Sequence, residues 1–269
     1  MGIVNVTPDS FSDGGKFLDP AAATAQGLAL AEQGADILDV GGESSRPGAA
    51  PVPLEEEMAR VIPVIRGIAQ GRPSIPISID TCKPEVARAA LEAGAAMIND
   101  ITGLRDPEMV RLAAKTGAPV VAMHMKGTPQ TMQRCPAYKN VVADVISFFK
   151  ERIKTLTRAG VTQIILDPGI GFGKTANHNL ELLNRLEEIC ALGYPVLVGL
   201  SKKSFIGKTL GAQVGQREAG GVAANAIAIA KGAAIIRVHD VALHRQGAIM
   251  AGCIRLGKKP VDRRRRGGG

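Results

Sequence analysis

The chain has 269 residues, is 45% hydrophobic and carries a formal net charge of +8, enough to fill one α/β barrel of about 250 residues without a second domain. No apolar run reaches the roughly 18 residues of a membrane span, no charged-then-apolar start marks a signal peptide, and Cys82, Cys135, Cys190 and Cys253 show neither metal-ligand pairing nor secreted-scaffold density, so the expected compartment is the cytoplasm. Arginines at 263–266 supply four of the charges in a basic, Gly-ended tail over 258–269; with no Trp and only two Tyr to stack on bases, the sequence argues against nucleic acid and for a small anionic substrate.

Residues 2–6 read as a strand so near the start that the natural N-terminus is expected to be incomplete; Asn5 lies at its end, before the polar loop Thr7-Pro8-Asp9-Ser10-Phe11-Ser12-Asp13-Gly14-Gly15. An Ala-rich helix over 20–33 closes at Gly34. A second strand, 36–40, runs into Gly41-Gly42-Glu43-Ser44-Ser45-Arg46-Pro47-Gly48. The helix over 54–68 sets Met58, Val61, Ile62, Ile65 and Ile68 on one face and carries Pro63, which should kink it. Strand 75–79 ends at Asp80, and Pro84 opens a helix reaching about Ala93. Strand 95–98 ends at Asn99, and helix 107–116 leads to strand 119–123, which finishes on Met123.

After a long loop over 124–139 come helix 141–159, strand 163–166, helix 177–191 and strand 195–200, which contains Gly199 and runs into Ser201-Lys202-Lys203-Ser204. Helix 217–231 is apolar nearly all round, which predicts an interface as well as a barrel layer. Strand 233–238, His239-Asp240 and helix 241–255 finish the pattern. Eight strands alternate with eight helices at a mean spacing of about 33 residues, which predicts a single (β/α)8 TIM barrel over 1–257; a doubly wound open sheet is the alternative.

The most informative stretch is Gln163-Ile164-Ile165-Leu166-Asp167-Pro168-Gly169-Ile170-Gly171-Phe172-Gly173-Lys174: a buried-type strand, a carboxylate at its tip, then glycines that clear a path for a ligand. It misses both the dinucleotide and the triphosphate-loop spacings. A barrel brings Asn5, Ser45, Arg46, Asp80, Asn99, Asp167, Lys203, Ser204, Arg237 and His239 to one mouth. Arg46, Lys203, Arg237 and His239 make a cationic sector suited to a phosphate or diphosphate. Asn5 offers a hard oxygen for Mg²⁺, with the diphosphate supplying other ligands. Asp80, Asn99 and Asp167 form a hydrogen-bonding sector that matches a heterocycle edge with adjacent N–H donors. Each residue taken singly also reads as a helix cap or loop support.

These stretches resemble the dihydropteroate synthase family, the folate-pathway enzymes targeted by sulfonamides. The resemblance lies in the opening Gly2-Ile3-Val4-Asn5-Val6-Thr7-Pro8-Asp9-Ser10-Phe11-Ser12-Asp13-Gly14-Gly15 and in residues 41–48, Ser78-Ile79-Asp80-Thr81, Ile98-Asn99-Asp100, Met123-His124-Met125, residues 167–174, Lys203-Ser204 and Arg237-Val238-His239-Asp240. It implies transfer of a pterin methylene from diphosphate to 4-aminobenzoate, with Asp80, Lys203, Arg237 and Asp13 in catalytic roles. Asp80, Asn99, Asp167 and Lys203, with Met123 and Gly199, would hold the pterin. Asn5, Arg46, Arg237 and His239, with Mg²⁺ on Asn5, would hold the diphosphate. Ser45, Pro47, Phe172, Ser204 and Phe11 would line the aminobenzoate site. It also implies a homodimer.

Ser45 stands where the family usually has threonine, which removes a methyl and up to about 1 kcal/mol of packing. Lys202 replaces a common arginine and loses its planar fork. A methyltransferase barrel of the same pterin-binding group is the alternative; it shares Asp80, Asn99 and Asp167 but needs neither Arg237-x-His239 nor the loop over 7–15.

Overall fold

The computed structural model describes residues 1–7, 19–72 and 74–257. Its strands are β1 (Gly2–Asn5), β2 (Leu38–Gly41), β3 (Ile77–Asp80), β4 (Met97–Asp100), β5 (Val120–Met123), β6 (Ile164–Asp167), β7 (Leu197–Gly199) and β8 (Ile235–Arg237). All pair in parallel: β1 to β6 form one continuous ladder in chain order, and β7 pairs with β8. Two seams join the ladders. Leu166 N donates to Pro195 O at 2.9 Å, while Ile3 N donates to Val238 O and Val238 N to Met1 O, both at 3.0 Å. The eight strands therefore close on themselves, as the TIM-barrel reading requires.

Helices α1 (Pro20–Glu32), α2 (Leu54–Gly71), α3 (Pro84–Glu92), α4 (Pro107–Thr116) and α5 (Val141–Arg158) follow the first five strands. Proline at the first turn opens α1, α3 and α4, and the Asp19 and Asp106 carboxylates cap α1 and α4 by accepting from Ala21 N and Glu108 N. Helix α2 continues through Pro63, which is exposed, so water can reach the carbonyl that its ring deprives of a donor.

Two corrections concern the second half. The helix expected over 177–191 is two pieces, α6 (Ala176–Asn184) and α7 (Leu186–Cys190), because Arg185 between them leaves helical geometry at φ −114° and ψ 27°. An unexpected helix, α8 (Ser204–Leu210), precedes α9 (Glu218–Ala230) and α10 (Val241–Leu256). Its seven residues are too few for periodicity to reveal.

The strand alternation positions the site. Met97, Val121, Ile165 and Leu197, with Met1, Ile37 and Ile235, pack together as an apolar floor inside the barrel. Side chains two residues further along a strand point the same way. Asp39, Asn99, Met123, Asp167, Gly199 and Arg237 thus stand in the next layer, toward the strand C-terminal ends. The expected ends of β3, β4 and β6 are a residue or two early, since Asp80, Asn99 and Asp167 belong to the ladders themselves, while those of β1, β7 and β8 are one residue late. Between strands and helices lies a second core that includes Leu38, Ile65, Ile68, Ile79, Ile98 and Phe149.

Candidate functional site

Arg237, on β8, reaches across the mouth to the acidic side. Its Nε donates to Asp39 Oδ2 at 2.5 Å and its Nη2 to Asp80 Oδ2 at 2.7 Å, and Asn99 Nδ2 donates to the same Asp39 oxygen at 3.0 Å. The sequence reading put Arg237 in one sector and Asp80 and Asn99 in the other; the structure ties the two together. Burial pushes the Asp80 carboxyl up to about 7 against the opposing pull of Arg237. Burial alone would lower the guanidinium, but Asp39 and Asp80 raise it on balance. The paired geometry is that of an ion pair, with Asp80 as carboxylate when Arg237 is in place.

On the opposite wall, the buried Asp167 accepts from Gly169 N at 2.7 Å, and burial raises its pKa. The loop that follows turns at Gly169, Gly171 and Gly173, with φ of 64°, 86° and 62°. Lys203 Nζ lies 4.1 Å from the centroid of the Phe172 ring, and burial brings its pKa down to about 8 despite Asp167. Met123, Met125 and Met132 form an apolar pad against which Phe172 packs.

Lys174, which in the sequence looked like a failed phosphate-loop lysine, is buried. Its Nζ donates to the carbonyls of Gly169 (2.9 Å), Phe172 (3.0 Å) and His124 (3.2 Å) and sits 3.0 Å from His124 Nδ1. It fastens the glycine loop to the end of β5. Burial, then the Lys174 charge, pushes His124 down to about 3. An imidazole harder to protonate in the folded chain than in the unfolded one, where its pKa is about 6.5, leaves the unfolded chain binding more protons. Stability therefore rises with pH between about 3 and 6.5 and is lost on acidification through that window. Urea denaturation between about pH 6.5 and 4.5 is expected to show a shallower acid loss for His124→Asn; equal slopes would place the acid sensitivity elsewhere.

On the cationic side, His239 Nδ1 lies 3.1 Å from Ser201 Oγ. Burial and then the charges of Lys202, Arg237, Arg46 and Lys203 press its pKa down to about 4, which places all four cations within electrostatic reach of one imidazole. Arg46 and Pro47 line an open groove with Thr7, Ser44 and Arg60, while Ser45 and Asp80 line a smaller cavity beside it. Ser204 opens α8 and is exposed, and Asn5 is half-buried at the end of β1. Phe11 and Asp13 lie outside the described residues. Among the described residues, no three His, Cys, Asp or Glu side chains cluster to hold a metal. The lone amide oxygen of Asn5 fits only a cation whose other ligands come from a phosphate and water, which is how Mg²⁺ is commonly held.

Several residues escaped the sequence reading. Asp39 is fully buried in β2. Glu57, on α2, and Glu43 both bind Lys83 Nζ, Glu43 at 2.5 Å, and Glu43 also accepts from Val52 N at 3.2 Å. This closes the base of the loop that carries Ser45, Arg46 and Pro47. The loop's far end docks on the β5–α5 loop, with Gly48 N donating to Pro129 O at 3.0 Å and Gln130 Nε2 to Ala49 O at 3.1 Å.

The model of the pterin binding enzyme family matches residues 1–239, so the class is that of a pterin-binding barrel. The chain is 50% identical over 243 residues to the dihydropteroate synthase of Escherichia coli strain K12, covering 90% of this chain and 86% of that one. Among solved structures, Xanthomonas albilineans dihydropteroate synthase with 4-aminobenzoic acid superposes with a TM-score of 0.88 at 49% identity, covering 94% and 92% of the two chains. The structure of the enzyme from the same organism with 7,8-dihydropteroate gives 0.85 at 47% identity, again covering 94% and 92%. The chain belongs to the dihydropteroate synthase family, transferases that condense 6-hydroxymethyl-7,8-dihydropterin diphosphate with 4-aminobenzoate into 7,8-dihydropteroate and diphosphate.

Proposed function

We propose that the mouth of this barrel divides the condensation between two walls. The observation that carries this reading is the spanning of the mouth by Arg237, with Asp39 and Asp80 beside it and Asp167 within its electrostatic reach. Asp80, Asn99, Asp167 and Lys203 hold the pterin above Met123 and Gly199. Arg46, Arg237 and His239 hold the diphosphate, and Asn5 is the residue that would hold a Mg²⁺ beside it. Arg237 spends two of its five N–H donors on Asp39 and Asp80, so three remain for phosphate oxygens.

The pterin can delocalise positive charge from its methylene as the diphosphate departs. The Asp80 carboxylate stabilises that charge, while the cationic wall stabilises the leaving group. Mg²⁺, when bound, supplies further charge neutralisation on the diphosphate. The aromatic amine is already nucleophilic, so Ser45, Pro47, Phe172 and Ser204 need only hold it near the methylene, without a strong general base. Incubation of the protein with Mg²⁺, 4-aminobenzoate and the pterin diphosphate tests this directly. Dihydropteroate and released diphosphate are expected in equal amounts; the formation of neither would end the reading.

Leu210, Ile227, Met250 and Ile254 on α8, α9 and α10 are 54–75% exposed, an apolar surface that favours a homodimer. A monomeric mass by light scattering would contradict that. No helix of the described residues is long and apolar enough to cross a membrane, and the four cysteines are unpaired thiols, which fits a reducing cytoplasm.

A further inference from the structure

Asp39 lies in β2, two residues beyond Ile37 of the apolar floor, and is completely buried. One of its oxygens, Oδ2, receives both Asn99 Nδ2 from β4 and Arg237 Nε from β8. The other, Oδ1, is sealed and has no hydrogen-bond partner among the described residues. A buried charge with an unsatisfied oxygen is costly, and an apolar residue at this height would simply thicken the floor.

The chemistry of the bonds identifies what the carboxylate does. A carboxylate only accepts, so Asn99 must turn its NH2 toward Asp39 and its carbonyl oxygen away. A neutral partner able to donate would permit either orientation of the amide. Arg237 is pinned at Nε by Asp39 and at Nη2 by Asp80, which fixes the plane of its fork and the direction of its remaining donors. A single oxygen atom thus sets the hydrogen-bond polarity of a side chain on the heterocycle wall and the orientation of one on the phosphate wall.

We propose that Asp39 is a positioning residue for both halves of the pterin diphosphate, presenting the Asn99 oxygen to a ring N–H and the Arg237 fork to the diphosphate. The inference rests on the roles given to Asn99 and Arg237 above. It resembles the way outer carboxylates orient the groups that meet a ligand in other sites.

Two probes separate the halves in the full chain with Mg²⁺: phosphate-free 6-hydroxymethylpterin and inorganic diphosphate, each titrated by calorimetry. Asn99→Ala is expected to weaken only the pterin, and Arg237→Gln to weaken the diphosphate, each about tenfold, the loss of roughly one good hydrogen bond. Asp39→Asn is expected to weaken both about tenfold although it touches neither probe. In an Asn99→Ala background, Asp39→Asn should then leave pterin affinity within about twofold, whereas a general loosening of the barrel would lower it again.

If Asp39→Asn alone leaves either probe within about twofold of the unaltered protein while the other two substitutions act as described, the inference is overturned and the sector roles stand. If Asn99→Ala and Arg237→Gln are also silent, the sector roles fall and the inference falls with them. Should Asp39→Asn not fold, Asp39→Ser is measured in the same way. If neither folds, Asp39 serves the barrel's folding and the proposal is rejected.

Discussion

Replacing Arg237 with glutamine is expected to lower stability by about 3 kcal/mol and to remove most of the affinity for diphosphate. The stability loss comes from what is left behind. Asp39 is fully buried and Asp80 nearly so, and each would keep a charge without its partner, a situation that typically costs about 3–5 kcal/mol. Asp80 has an escape, because burial already raises its pKa to about 7 and an abandoned carboxyl can take up a proton. The deficit should therefore be smaller near about pH 6 than near about pH 8, and Asp80→Asn in the same chain should restore part of it. Urea denaturation at the two pH values checks this. A deficit below about 1 kcal/mol, or one indifferent to Asp80→Asn, would show that the bridge is not what holds these strands together.

Gly169→Ala is the second large effect. A Cβ on this residue would sit 1.9 Å from the His124 carbonyl oxygen, and its φ of 64° already disfavours a side chain. Backbone cannot swing aside as a flexible side chain would, so the loop must shift. That movement pulls on the Gly169 N–H bond to Asp167 and on the Gly169 carbonyl that accepts from Lys174 and Phe172. The left-handed conformation and the overpacking together should cost about 3 kcal/mol, and pterin affinity should fall by at least about tenfold because Asp167 loses its support. Gly160→Ala is the control: its φ is 89° but nothing among the described residues lies within 4 Å of the new Cβ, so only the backbone cost of about 1 kcal/mol applies. Equal losses for the two would mean that the close approach to His124 is relieved cheaply.

The barrel was legible because short apolar strands alternate with helices at a mean spacing of about 33 residues. Asp80, Asn99 and Asp167 interrupt their apolar runs and so mark where three of those strands end. Asp39 was not legible for the converse reason. It sits inside Leu38-Asp39-Val40 rather than ending the run, and only the closed ring brings Arg237 within 2.5 Å of it across 198 residues of chain. Glu57 was not legible because its partner Lys83 comes from the next βα unit, which no local period reveals. Lys174 was seen but judged against phosphate-loop spacing, when the carbonyls around it are its ligands. The break at Arg185 and the short α8 were missed because segments of five to seven residues barely register as periodic.

The docking of Gly48 and Ala49 on Pro129 and Gln130 bears on how this scaffold can be rebuilt. Two segments more than 75 residues apart in sequence share one surface, so shortening or transplanting either alone strands the bonding groups of the other. A chimera that borrows the β2–α2 segment from a distant barrel has to borrow the β5–α5 segment with it.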